Sequence, residues 1–141
     1  MGGRRAFTIT EVLITVAMVG IIAAIAVPNY IKTVELGYWR SAQDILRTVY
    51  AGEQVYFTVN QKYVSTPGTL ANWRAWLYMD NPNTGAGGTV TYGIAAAGAG
   101  AGATFTATAK RVGGRCNGKA MTINDQNTLN TAGWNPQNPS C

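Results

Sequence analysis

Residues 7–27 read FTITEVLITVAMVGIIAAIAV, an unbroken apolar run whose only charge is Glu11 and whose only other polar groups are threonines. At a helical rise of about 1.5 Å per residue the run spans roughly 30 Å, the hydrocarbon thickness of a bilayer, so the pattern predicts a membrane-crossing helix. After Pro28 the period changes. Ile31, Val34, Tyr38, Ala42, Ile45, Val49, Gly52 and Tyr56 recur every three or four residues, while Lys32, Gln43, Arg47 and Gln54 fall largely off that line. This is the stripe of an amphipathic helix. Joined, the two stretches predict one helix over 7–58, roughly 75 to 80 Å long at the standard rise. Pro28 removes a helical donor and crowds the preceding turn, and Gly20 is a weak helix former, so the segment between them is expected to kink or locally unwind.

From residue 60 turn formers take over, among them Pro67, Gly68, Asn81, Pro82, Asn83 and Gly85. They bracket LANWRAWLYM, expected to be a short helical or irregular element packed through Leu70, Trp73, Trp76 and Leu77. Alternation in TVTYGIA, TFTATAK and KAMTIN predicts strands over 89–95, 104–110 and 119–124, most economically an antiparallel meander on the helix. Between the first two lies AAAGAGAGA, nearly devoid of side-chain mass and expected to be a flexible or tightly turning connection.

Apolar residues make up 47% of the 141 and charged residues 12%, about half the usual charged share, as one water-avoiding segment would produce. Histidine is absent and Asp plus Glu total 6. That removes His-based triads, His-containing zinc sites and most carboxylate cages for metals. Ser41, Ser65 and Ser140 have no recognisable base, and GxGxxG is missing from any strand-to-helix turn. A non-enzyme without cofactor or metal is expected.

The net charge is +5, but Arg4 and Arg5 stand directly ahead of the apolar run, where positive charge holds that end in the cytoplasm and sends the remainder outward. A secretory signal has a shorter apolar region ending at a small-residue cleavage site; here the run is longer, so it is expected to be retained and the leader MGGRRA removed. Glu11 calls for a physical reason, because an ionised carboxylate in hydrocarbon costs roughly 2.5 to 3.5 kcal/mol. It needs a cation, or a place near the interface to which it snorkels. Cys116 and Cys141 are the only cysteines. In an exported chain such a pair reads as a disulfide, closing a loop of about 25 residues and stabilising by roughly 3 to 4 kcal/mol; two reduced thiols or a metal pair are the other reading. The expected fold class is α+β: a long N-terminal helix, membrane-embedded in its first half and amphipathic in its second, packed on a small antiparallel β-sheet with a disulfide-bounded C-terminal region.

The stretch RRAFTITEVLITVAMVGIIAAIAVPNY combines a basic leader, a small residue, Phe, a Glu four residues later, an apolar run and Pro-Asn-Tyr. It resembles the N-terminus of type IV pilins and their pseudopilin relatives, closely over about two dozen residues and in outline beyond. The resemblance implies cleavage by prepilin peptidase between Ala6 and Phe7, N-methylation of Phe7, and pairing of Glu11 with the Phe7 amine of an adjoining copy. It also implies an assembly segment that contains Gly20 and Pro28. Family members usually carry Gly where this chain has Ala6 and a hydrophobic residue where it has Thr10. The implied organisation is a leader over 1–6, a membrane and filament-core helix over 7–28, an amphipathic half over 29–59, and a globular domain over 60–141.

By the same resemblance the chain is a structural subunit, held in the bacterial inner membrane as a precursor and then polymerised into an extracellular pilus filament. Its implied partners are further copies of itself, the membrane, the peptidase and assembly machinery, and minor pilins. One alternative is a minor pilin or a type II secretion pseudopilin, although main-fibre pseudopilins carry an acidic calcium-binding C-terminal loop and this chain has only Asp125 there. Another is a DNA-binding or adhesive subunit, with nucleic-acid phosphate contacted by Lys110, Arg111, Arg115 and Lys119, four basic residues within ten positions. The plainer reading of that cluster is a solvated hairpin.

Overall fold

The computed structural model describes residues 7–84, 88–138 and 141, apart from the side chain of Leu70. The chain divides into two compact units, Met1–Val34 and Glu35–Cys141. One helix, α1 (Ile9–Asn60), contributes to both, and Pro28 lies inside it without ending it. Of the two expectations, the locally unwound segment is absent, since residues 20–28 are helical throughout. Proline removes only its own donor, which leaves the Ala24 carbonyl without its usual partner while the neighbouring turns keep theirs.

In the second unit the inward face of α1 consists of Glu35, Ala42, Leu46, Val49, Gly52 and Glu53. This differs from the expected stripe: Leu46 is fully buried where Ile45 is only half-buried, and Ile31 is exposed. A shift of one residue turns a helical face by about 100°, and tertiary packing selects the rotation. The short helix α2 (Leu70–Leu77) starts on Thr69, whose side chain accepts from the Asn72 N–H, and stops at Tyr78 in the left-handed conformation. Trp73 and Leu77 enter the core, whereas Trp76 is 36% exposed and does not join it.

Four antiparallel strands follow in spatial order β1-β2-β3-β4: β1 (Val90–Ala97), β2 (Thr104–Arg111), β3 (Ala120–Asn124) and β4 (Leu129–Asn130). The three expected strands are present, β1 running two residues further, and β4 is an addition. Inward residues form rows across the sheet, Ile94 beside Ala107 beside Ile123, and Tyr92 beside Ala109 beside Met121. Alanine on the central strand leaves room above it for the side chains of α1 and α2, with which these residues share one core. The Gly/Ala tract ends β1 and then turns through Gly98 (φ 75) and Gly100 (φ 62), whose N–H donates to the Gln61 carbonyl at 2.7 Å. A Cβ on Gly98 would lie 2.7 Å from the Gly102 carbonyl oxygen, so glycine is required there. The tract is the tight turn of the two expectations.

Cys116 and Cys141 form a disulfide, with Cα atoms 4.5 Å apart and a separation of 25 residues. Within the closed loop Trp134 is fully buried. Asn side chains stitch the rest, Asn130 Oδ1 accepting from the Ala132 N–H and Asn135 Oδ1 from the Gln137 N–H, both at 3.0 Å. Such turns let an Asn-rich segment satisfy its own backbone.

Cys141→Ser is expected to destabilise the second unit by about 3 kcal/mol, read as a lower unfolding temperature that matches the reduced wild-type chain. Two α1 glycines should respond with opposite sign. A Cβ on Gly37 meets nothing within 4 Å, so Gly37→Ala should raise stability by about 1 kcal/mol through helix propensity. A Cβ on Gly52 would lie 2.5 Å from the Leu77 carbonyl oxygen, so Gly52→Ala should lower the unfolding temperature, because α2 must be pushed away.

Candidate functional site

Every Phe, Ile, Leu, Val and Met among residues 7–27 is more than half exposed, from Val12 at 51% to Phe7 at 82%. The stretch is apolar on all sides and none of it is buried among the described residues; by length and composition it can cross a membrane. A helix apolar all round is stable only inside lipid or among other proteins. This surface is the main candidate for function.

Thr8 and Glu11 form a reciprocal cap at its start. The Thr8 N–H and hydroxyl each donate to Glu11 Oε2 at 2.9 Å, and the Glu11 N–H donates to Thr8 Oγ1 at 3.3 Å. This is a capping box, a Thr followed three residues later by Glu, which satisfies backbone donors that a helix otherwise leaves open. The spacing TITE was a readable signal that the charge argument for Glu11 passed over. No cation pairs with Glu11 among the described residues. Phe7, next to the cap, is 82% exposed. Ala6 lies outside the described residues.

The four-residue basic cluster does not stay together. Arg111 is 4% exposed and turned into the core, because β2 alternates and its neighbour Lys110 takes the outer face. Its Nε donates to Glu35 Oε2 and its Nη2 to Glu35 Oε1, both at 2.9 Å. Its Nη1 donates to the carbonyls of Thr89, at 2.7 Å, and Val112. The guanidinium carbon also lies 4.4 Å from the Tyr38 ring centroid. Arg111 is therefore removed from the expected anion-contacting set: its donors are committed to a buried ion pair that ties α1 to the β1 and β2 ends. Gly114, at φ 68, covers this pair, where a Cβ would run into Glu35 and Arg111. Of the others, Lys110 is exposed, Lys119 half-buried, and Arg115 half-buried with its Nη2 donating to the Asn138 carbonyl at 3.0 Å. The Glu35–Arg111 pair was missed from the sequence, although Glu35 falls seven residues before Ala42 on the buried face.

No protein-family profile and no solved structure matches the chain. The type IV major pilin protein PilA of Myxococcus xanthus is 37% identical to it over 59 residues, which are 42% of this chain and 27% of that protein. Over that stretch the chain is similar to a type IV major pilin. The match spans about a quarter of that pilin's own length.

Gly20 has nothing within 4 Å of where a Cβ would stand, so its own helix gives no reason for glycine. Pro28 is tolerated in α1 as described above. Both are exposed positions of α1 in the first unit.

The buried pair gives a stability prediction. Glu35→Ala leaves the Arg111 guanidinium buried without its counter-charge and should cost about 3 to 5 kcal/mol, read in thermal unfolding. The double substitution Glu35→Leu with Arg111→Met should recover most of that loss.

Proposed function

We propose that the chain is a structural subunit of a type IV pilus. The single observation that carries this reading is the apolar surface of residues 7–27, exposed on every side and interrupted by one acid. The relative named as a type IV major pilin supports it. In this reading the helix first sits in the inner membrane with Arg4 and Arg5 on the cytoplasmic side. Prepilin peptidase cuts between Ala6 and Phe7, the new amine of Phe7 is methylated, and the helix leaves lipid for the core of a filament. Contact with neighbouring helices replaces contact with acyl chains. The subunit interface is head-to-tail, and such an interface propagates into a fibre instead of closing.

Glu11 has two tasks in this scheme. Its Oε2 and backbone N–H cap the first turn with Thr8, and its negative charge attracts the Phe7 amine of the adjoining copy, which sets the axial register. Small side chains at Ala17, Gly20, Ala23, Ala24 and Ala26 permit close helix approach. The minor pilins, peptidase and assembly machinery are the remaining partners. The chain's own role is structural, not enzymatic.

Two substitutions separate the tasks of Glu11. Glu11→Gln keeps a side-chain carbonyl for the capping box but removes the charge, so helix content in micelles should be unchanged while filament yield falls at least about tenfold, the loss expected for a charge-assisted bond. Glu11→Ala should lower both. Normal filaments from Glu11→Gln would sink the charge-pairing scheme. Ala6→Glu should leave the leader attached, visible by mass spectrometry of the cell-associated chain; a product that begins at Phe7 despite this change would refute the assigned cut.

A further inference from the structure

We infer that Glu53 is a proton-operated latch, which holds the segment following α1 against that helix while its carboxyl is protonated and loosens it when the carboxyl ionises. Glu53 is fully buried, on the same inward face as Ala42, Leu46 and Val49. Its Oε2 accepts from the Val64 N–H at 2.9 Å. Its Oε1 has no hydrogen-bond partner among the described residues. The contrast with Glu35, whose two oxygens both meet Arg111, is informative: a buried carboxylate with one neutral donor and no cation is poorly compensated. A proton on Oε1 removes the charge and leaves Oε2 as the carbonyl that receives Val64.

The groups carried by the surrounding elements do not supply the missing charge. On α1, Asp44 and Arg47 are exposed. The segment after α1 brings exposed Lys62, and Tyr63, whose hydroxyl meets the Gln54 amide at 3.5 Å. Arg74 of α2 is exposed and bonded to Asp80 at 2.6 Å. Tyr92 of β1 is buried and pushed by that burial to about 12, so it stays neutral. On β2, Lys110 is exposed and Arg111 is engaged by Glu35. Asp125, after β3, presents a backbone carbonyl 3.5 Å from the Gln54 amide. Accordingly the Glu53 carboxyl is pushed up to about 7 by burial, with the Val64 hydrogen bond opposing the rise.

The bond to Val64 fastens a segment that is otherwise held by neutral contacts. The Tyr63 ring lies 4.7 Å from both the Phe57 and Phe105 rings, and Thr66 exchanges backbone and hydroxyl bonds with Ile94. Of these fastenings only Glu53–Val64 changes with pH. The folded carboxyl titrates above its ordinary value of 4.5, so the folded state binds the extra proton. Its stabilising effect is complete below about 4.5, is lost as pH rises through about 7, and changes no further above. The chain has no histidine, so no ordinary side-chain titration overlaps this window.

The test uses the full chain in phosphocholine-detergent micelles, comparing wild type with Glu53→Gln, which keeps the acceptor for Val64 and cannot ionise. Between pH 5.5 and 8 the wild-type folding equilibrium should weaken by at least about tenfold, with a falling unfolding temperature, while Glu53→Gln stays flat. In the nitrogen–proton NMR spectrum the wild-type Val64 amide should titrate with a midpoint near 7. Parallel melting profiles for the two proteins, or a Val64 amide that titrates near 4.5, would overturn the latch. If Glu53→Gln fails to fold, the wild-type Val64 titration alone decides.

Discussion

The structure depends on one constraint: residues 7–27, most of them in the first half of α1, carry an apolar surface that the described residues leave exposed. All the large side chains of that stretch remain more than half exposed. Hydrophobic burial contributes about 25 cal/mol for each Å² removed from water, so such a surface is stable only against lipid or other protein. The second unit has a core of its own. It spends its own small core on the inward face of residues 35–60, on Trp73 and Leu77, and on the inner face of the sheet.

The three glutamates of the chain all lie on α1, and each meets the cost of its charge differently. Glu11 caps a helix start through Thr8. Glu35 is fully buried but has a bidentate arginine, itself saturated by two carbonyls and an aromatic face. Glu53 is as deeply buried and has one backbone N–H. The series runs from an exposed acid, through a compensated one, to one that burial makes hold its proton above the ordinary carboxyl range. The first belongs to the surface the chain leaves open, and the other two hold the domain against the helix.

Much of this architecture was legible in the sequence. The length of the apolar run, the alternation in three strands, the turn residues and the cysteine pair are local signals, and each corresponds to an element in the structure. The capping box was equally local, written as a Thr and a Glu three apart, and was obscured by attention to the charge alone. The basic cluster misled for a related reason. Four cations in ten positions look alike in a sequence, yet strand alternation sends Lys110 outward and Arg111 inward.

What the sequence determined by itself is periodicity: an all-round apolar helix, an amphipathic continuation, half-buried strands, and a tail in need of a cross-link. Each follows from the fixed repeats of 3.6 and 2 residues, which require no knowledge of distant neighbours. Tertiary structure alone decided which rotation of α1 faces the core, so that Leu46 and not Ile45 is fully buried. It decided that Glu35 meets Arg111 across 76 positions of sequence, and that Glu53 receives the Val64 N–H. Charge and burial are properties of pairs brought together by folding, and no pattern along a single chain specifies which partner a buried group will find.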